Sequence, residues 1–222
     1  EGGSMSDIYY NHIIQRDANG NTYVDNDGNI KLEETKEFVK AGSLAPKANL
    51  GWSNNFTYKG VSLGVVLAAR FGGLVYSATQ GILDYYGTSE YSAKLREQGG
   101  VPCNFGMLPA KNYLTTIGTA QGGHAAYYMY SATNIRLQEL AVSYTFPKKW
   151  FNDKLGLTIG VVGRNLAMLY CDAPFDPELS AATGSNYYQG VDYFMLPSTR
   201  NFGFNITVSY THLRAHETSL HL

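Results

Sequence analysis

The sequence is short of charge, cysteine and long apolar runs, and each shortage removes a class of protein. Charged residues make up 16% of the 222 positions, below the roughly one quarter usual for soluble domains. Net charge is −1, so the basic excess of a nucleic-acid-binding surface is missing and no nucleic-acid partner is expected. The two cysteines, Cys103 and Cys171, fit neither a metal motif nor a disulfide framework. They read as unremarkable thiols, with pairing left open in an oxidising compartment. No stretch approaches the roughly 18 apolar residues of a membrane-crossing helix. An N-terminal Met and a signal peptide are also missing, and Glu1 begins in mid-pattern, so the expectation is a fragment of something longer.

What is present is aromatic and small. Tyr (18), Gly (24) and Phe (10) are abundant, yet mean hydropathy is only −0.22. That combination suits a sheet with one oily face and one small, polar face. Period-two alternation marks the strands. In 48–58, Leu50, Trp52, Phe56 and Tyr58 share one side, with Asn49, Gly51, Ser53, Asn55 and Thr57 on the other. Lys59-Gly60 makes a two-residue turn. In 61–71 the apolar side is Val61, Leu63, Val65, Leu67, Ala69 and Phe71, opposed by Ser62, Gly64, Val66, Ala68 and Arg70. Segment 134–146 sets Leu140, Val142, Tyr144 and Phe146 on one side, and Pro147 stops it because proline cannot donate to the ladder. Segment 155–165 repeats the theme, with Leu155, Leu157, Ile159 and Val161 against Gly156, Thr158, Gly160 and Arg164. A last strand begins near Thr199, with Phe202, Phe204, Ile206 and Val208 on one side. Residues 7–15 form a weaker candidate.

The links at 59–60 and 147–154 are short, whereas 72–133 and 166–198 are very long, and the two kinds alternate. Every short turn therefore lies at one end of the sheet and every long loop at the other. Loops this long signal function or disorder, and the first holds a short helix within 76–98. The predicted fold is all-β: a portion of a transmembrane antiparallel β-barrel, open and incomplete, with short periplasmic turns and long extracellular loops. The physical reason is that backbone polar groups in lipid must pair internally, so a spanning sheet has to close. Tyr58, Phe71, Tyr144, Phe146 and Trp150 stand where interfacial aromatic girdles belong. A soluble sandwich also alternates, but the face opposite its core should carry solvated charge, and here that face is Gly, Ser, Asn, Thr and Ala.

Four stretches carry a family resemblance. KANLGWSNNFTYKGVSLGVVLAARFGG resembles the strand–Tyr-Lys–strand hairpin of the SusC/RagA family of TonB-linked outer-membrane transporters. ATNIRLQELAVSYTFPKKW resembles its late-barrel signature, and GRNLAMLYCDAPFDPEL its strand ending in Gly-Arg-Asn-Leu before an Asp-Pro-Glu loop. YFMLPSTRNFGFNIT resembles its final Pro-x-x-Arg-x-Phe strand. The resemblance covers most of 45–207 and implies the C-terminal barrel portion of a plugged, 22-stranded type of transporter. It also implies that the plug and the segment touching TonB, which carry the energy coupling, lie outside this chain, and that the last strand leaves an open edge here. The family pattern calls for a closing aromatic at position 208, where Val208 stands.

Val208 to Thr218, VSYTHLRAHET, reads without mismatch as the translation of a transposase-type sequencing adapter. The expectation is therefore a partial barrel domain over 1–207 and a non-native tail over 208–222, set aside from fold reasoning. His212, His216 and His221 then form no metal cluster despite their spacing.

Other constellations carry less. DANGNTYVDNDGN looks acidic enough for calcium, but setting Gly28 at the sixth loop position puts Tyr23 where Asp is required. Asn19-Gly20 and Asp27-Gly28 read as hairpin turns. Asn55-Phe56-Thr57 and Asn205-Ile206-Thr207 are glycosylation sequons only on paper, since they lie in strands. Two histidines remain outside the tail, His12 and His124, with no Gly-x-Ser-x-Gly nearby. Asp172, Asp176 and Glu178, beside Pro174 and Pro177, read as solvated loop carboxylates. No catalytic residue, metal or cofactor is expected, and the chain is not read as an enzyme.

Exposed aromatics mark binding surfaces and sugar rings stack on aromatic faces. Tyr127, Tyr128 and Tyr130 in the first long loop, and Tyr187, Tyr188, Tyr193 and Phe194 in the second, are candidates for substrate or lid contact, with membrane girdle or plain loop packing as the equal alternative. Arg70 and Arg164 fall on the predicted lumen face, where charge meets the plug or solvent, plug contact being the favoured role. The whole reading is an outer-membrane importer of oligosaccharides or, less often, peptides in a Gram-negative bacterium, most simply of the Bacteroidota. The resemblance implies a SusD-like lipoprotein lid, TonB through the segments outside this chain, and outer-membrane lipid as partners. A siderophore-type receptor and a surface adhesin or carbohydrate-binding β-protein without a channel are the alternatives.

Overall fold

The computed structural model describes residues 3–179 and 190–210. The chain divides into two compact units: residues 50–69, 135–169 and 199 onward form one, and the remaining segments form the other.

The sheet unit is built from β3 (Ala48–Tyr58), β4 (Val61–Phe71), β9 (Asn134–Thr145), β10 (Leu155–Cys171) and β12 (Asn201–Tyr210), in the order β12-β10-β9-β4-β3. β3 and β4 have the bounds that alternation predicts, and β9 stops two residues before Pro147. At the hairpin, Lys59 and Gly60 both take positive φ, 47° and 87°, the pairing a two-residue I′ turn demands. A Cβ on Gly60 would lie 2.7 Å from the Thr145 carbonyl oxygen, so only glycine fits there.

The sheet is antiparallel at β10–β12, where Ile159 faces Ile206 and Val161 faces Phe204. It runs the same way at β4–β9, since Gly60 lies beside Thr145 and Gly64 beside Ala141. The two faces keep their characters from strand to strand. On the polar side, Thr57 and Ser62 hydroxyls meet at 3.1 Å and Thr145 and Thr158 at 3.0 Å, and Gly160 lies against Asn205 and Ser143. On the other side stand Leu50, Trp52, Phe56, Tyr58, Val142, Ile159, Val161 and Ile206, all exposed, with Phe202 and Phe204 bare at 78% and 79%. Beyond Arg164 the alternation breaks: Asn165 sits at φ 53° and its amide donates to the Thr199 carbonyl at 3.2 Å. β10 then runs to Cys171, past the predicted end at 165. At the short-link end, Tyr144 and Phe146 pair edge-on at 4.8 Å and Phe146 meets Trp150 at 5.8 Å. Each such pair contributes about 0.5–1.5 kcal/mol. β3 and β12 are the open edges.

The other unit holds all of the buried apolar side chains among the described residues. β1 (Asp7–Ile14) pairs with β2 (Leu32–Ser43), Asp7 opposite Ser43 and Ile14 opposite Leu32. Between them the two acidic repeats are turns, as expected. The Asp17 carboxylate accepts from the Asn19 and Asn21 amides at 2.8 Å, and Asp25 accepts from Asp27 and Asn29 at 3.0 and 2.8 Å.

The long connection 72–133 is a folded insertion rather than a loop with one short helix. It contains β5 (Leu74–Ser77), α1 (Ala78–Tyr85), α2 (Glu90–Glu97), the hairpin β6 (Val101–Cys103) and β7 (Gly106–Leu108), α3 (Ala110–Ile117) and β8 (Met129–Ser131). β5 pairs with β8 and, in parallel, with β11 (Val191–Asp192). The core gathers Ile14, Val24, Leu95, Leu108, Tyr113, Leu114, Ile117 and Tyr128. α3 lies outside the helix expected within 76–98; its Ala110, Tyr113, Leu114 and Ile117 fall on one helical face, and all four are buried.

Candidate functional site

The insertion positions its side chains through capped helices and two buried carboxyls. Ser77 ends β5 and caps α1, accepting from the Gln80 amide at 3.1 Å while its own hydroxyl donates to Asp192 at 2.6 Å. Ser89 caps α2 by accepting from the Ser92 amide at 2.9 Å. Ser89 also donates to Asp84, whose second oxygen accepts from the Tyr128 hydroxyl at 3.0 Å. Asp84 is 4% exposed, and burial raises its pKa above the usual carboxylate value against the lowering effect of the two hydroxyls. Burial with Asp84 nearby pushes the Tyr130 hydroxyl up to about 12, and Tyr128 higher still.

The predicted contact residues separate on this scaffold. Tyr128 is a core residue, 1% exposed and committed to Asp84. Tyr127 is half-buried, and its hydroxyl accepts from the Ile14 amide at 2.7 Å, tying β1 to the insertion. Tyr130 packs edge-on against Phe175 at 5.5 Å. Tyr187 and Tyr188 lie outside the described residues. Tyr193 and Phe194 are each 53% exposed and pair edge-on at 5.5 Å.

Their presentation is held from beneath. β11 pairs with β5, Asp192 accepts from Ser77, and the Phe194 amide donates to Thr79 at 2.7 Å. Phe194 takes φ 46°, a left-handed state that costs a non-glycine residue roughly 1–2 kcal/mol. A strained residue held by three anchors presents two rings to solvent, and such strain clusters where a surface has a task.

The two predicted arginines have different surroundings. Arg164 donates to Glu139 at 2.8 Å on the small, polar face of the sheet. Arg70 donates to the Leu44 carbonyl at 3.0 Å, while its Nε is buried with no partner among the described residues. It lines a cavity of ≈ 670 Å³ with Ser6, Leu44, Asn49, Leu74 and Glu178. Sequence reasoning missed Arg136, 8% exposed within β9, and missed Asp84 and Asp192, because a single buried carboxyl leaves no periodic trace. Among the described residues no group of three or more His, Cys, Asp or Glu could hold a metal ion, and no helix is long and apolar enough to cross a membrane.

No family model matches the chain. The TonB-dependent receptor P3 of Formosa agariphila is 23% identical over 202 residues, covering 87% of this chain and 19% of its own length. The RagAB peptide transporter aligns with a TM-score of 0.60 at 16% identity, over 91% of this chain and 23% of that one. The RagAB peptide importer in its closed-closed state gives 0.55 at 16% identity, over 92% and 22%. Over this stretch the fold matches that of the RagA barrel structures. This chain spans less than a quarter of the length of any of these relatives. In a closed spanning barrel, an apolar sheet face of this kind meets hydrocarbon.

Proposed function

We propose that this chain forms part of a TonB-dependent outer-membrane transporter that imports oligosaccharides or peptides, working with a SusD-like lipoprotein lid and driven by TonB. One observation carries the reading: all the buried apolar side chains among the described residues belong to one unit, while the five-stranded sheet exposes its apolar face. At about 25 cal/mol per Å² of apolar surface, a row of bare Phe, Trp, Val and Ile side chains is costly in water and favourable in lipid. The fold shared with the RagAB peptide transporter and the similarity to a TonB-dependent receptor support transport as the task. Tyr193 is the residue assigned to ligand contact, because its ring is exposed on an anchored turn.

The test is growth and uptake on defined oligosaccharides and on peptide mixtures by cells with and without the gene. The reading expects loss of uptake of one of these classes, and Tyr193→Ala to weaken it about tenfold, the scale of one lost stacking contact. Unchanged uptake of both classes in the deletion strain would contradict the importer. Loss of iron acquisition instead would assign a siderophore-type receptor.

A further inference from the structure

We propose that His12 and His124 form a two-histidine site for a borderline divalent transition ion such as Zn²⁺ on the insertion-bearing unit. The histidines come from β1 and from the turn after α3, and they are far apart in sequence, so spacing along the chain gives no metal motif. In the fold their ring centres lie 6.1 Å apart with the planes tilted by 35°. An ion held at about 2.1 Å from one nitrogen of each ring separates the centres by roughly 5 to 6.5 Å, depending on the angle at the metal. The observed spacing falls inside that range.

A second observation concerns the tautomer of His12. The Glu34 carboxylate can only accept, so the Asn11 amide group turns its NH₂ toward it, Nδ2 to Oε1 at 3.3 Å. Asn11 Oδ1 is thereby left facing His12 Nδ1 at 2.7 Å. Since that oxygen can only accept, Nδ1 carries the proton and Nε2 keeps its lone pair. A ligating histidine whose other nitrogen donates to an oxygen, itself held by a further partner, is the usual outer arrangement of metal-bound imidazoles. Glu34, Asn11 and His12 form such a relay across β1 and β2.

His124 is fixed through its backbone: its amide donates to the Ile117 carbonyl at 2.8 Å and its carbonyl accepts from Tyr127 at 3.0 Å. His12 is exposed and His124 half-buried, so an ion has access from solvent. Among the described residues no third His, Cys, Asp or Glu completes the set. Water, or a donor carried by an imported ligand, fills the remaining positions, and imidazole pairs of this kind select Zn²⁺, Ni²⁺ or Cu²⁺ over Mg²⁺ or Ca²⁺.

The experiment is calorimetric titration of the purified protein with Zn²⁺ near neutral pH. His12→Gln and His124→Gln are each expected to lower affinity at least ~10-fold, and Asn11→Ala, which frees the tautomer without removing a ligand, by ~10-fold. A His212→Gln/His216→Gln variant controls for the tail and is expected to bind Zn²⁺ like the parent. Absence of saturable binding overturns the site. So does parental affinity in either His12 or His124 variant, and so does loss of binding in the tail variant. Asn11→Ala keeps both ligands and the surface histidines, so its weakened binding with an unchanged melting temperature separates ligation from misfolding.

Discussion

Tyr128 and Asp84 show how a single pair of side chains can hold an insertion together. The Asp84 carboxyl is buried and accepts from two hydroxyls, those of Ser89 and Tyr128. Tyr128→Phe removes one donor and leaves a buried acceptor short, which costs about 1–3 kcal/mol. Thermal unfolding of the insertion-bearing unit should report a lowered midpoint. The pH dependence follows from the direction of the shift. Burial raises the folded-state pKa of Asp84, so the contribution of its neutral form is complete below the ordinary value of about 3.9 and is lost as pH rises through the raised one. Melting midpoints of the parent should therefore gain on those of Asp84→Asn as the pH falls through that window; a gain on raising the pH would contradict the assignment. None of this was legible in the sequence. Tyr128 was singled out as a contact aromatic, and only the fold reveals that its ring fills the core while Tyr193, just after β11, faces solvent.

Elements were legible in proportion to how cleanly they alternate. β3 and β4 fall where period-two reasoning puts them, because each side chain has one oily or one polar destination. β2 escaped because its run of Glu, Thr and Lys gives no apolar face, and its partner β1 supplies the buried end at Ile14. β5, β8 and β11 are too short to show a period at all. The insertion also depends on close approach: a Cβ on Gly81 in α1 would lie 1.1 Å from the Gly122 carbonyl oxygen. Gly81→Ala, normally favourable in a helix by roughly 1 kcal/mol, is expected instead to displace α1 and to abolish cooperative melting of this unit. In the sheet, Val161→Arg on the apolar face should destabilise by about 2–4 kcal/mol in a bilayer. Ser143→Arg on the polar face should be nearly neutral in the same refolding titration.

At the scale of the molecule, one chain carries two kinds of stability. The insertion-bearing unit buries Leu, Ile, Val and Tyr side chains in a core, as any water-soluble fold does, and its hydrogen bonds link caps, turns and short strands. The sheet unit pairs its backbone across five strands and leaves its apolar side chains outward. The family resemblance in the sequence anticipated the second and understated the first, since a folded insertion between two strands reads as a long loop. We further propose that the residues after Thr207 do not belong to the native protein. Val208, Ser209 and Tyr210 continue the pairing with Leu157, Gly156 and Leu155, so pairing alone does not mark the junction, and sequencing the source DNA across it decides the point.

The central claim is that the two faces of the sheet meet different media, and accessibility scanning tests it most directly. Cys103 and Cys171 are first replaced by serine, and single cysteines are then placed along β10 and β12 in the membrane-embedded protein. The account predicts that labels at Ile159, Val161, Phe204 and Ile206 are quenched by lipid-soluble agents, and those at Thr158, Val162, Asn205 and Thr207 by water-soluble ones, alternating residue by residue. Uniform water access at both sets of positions would contradict it.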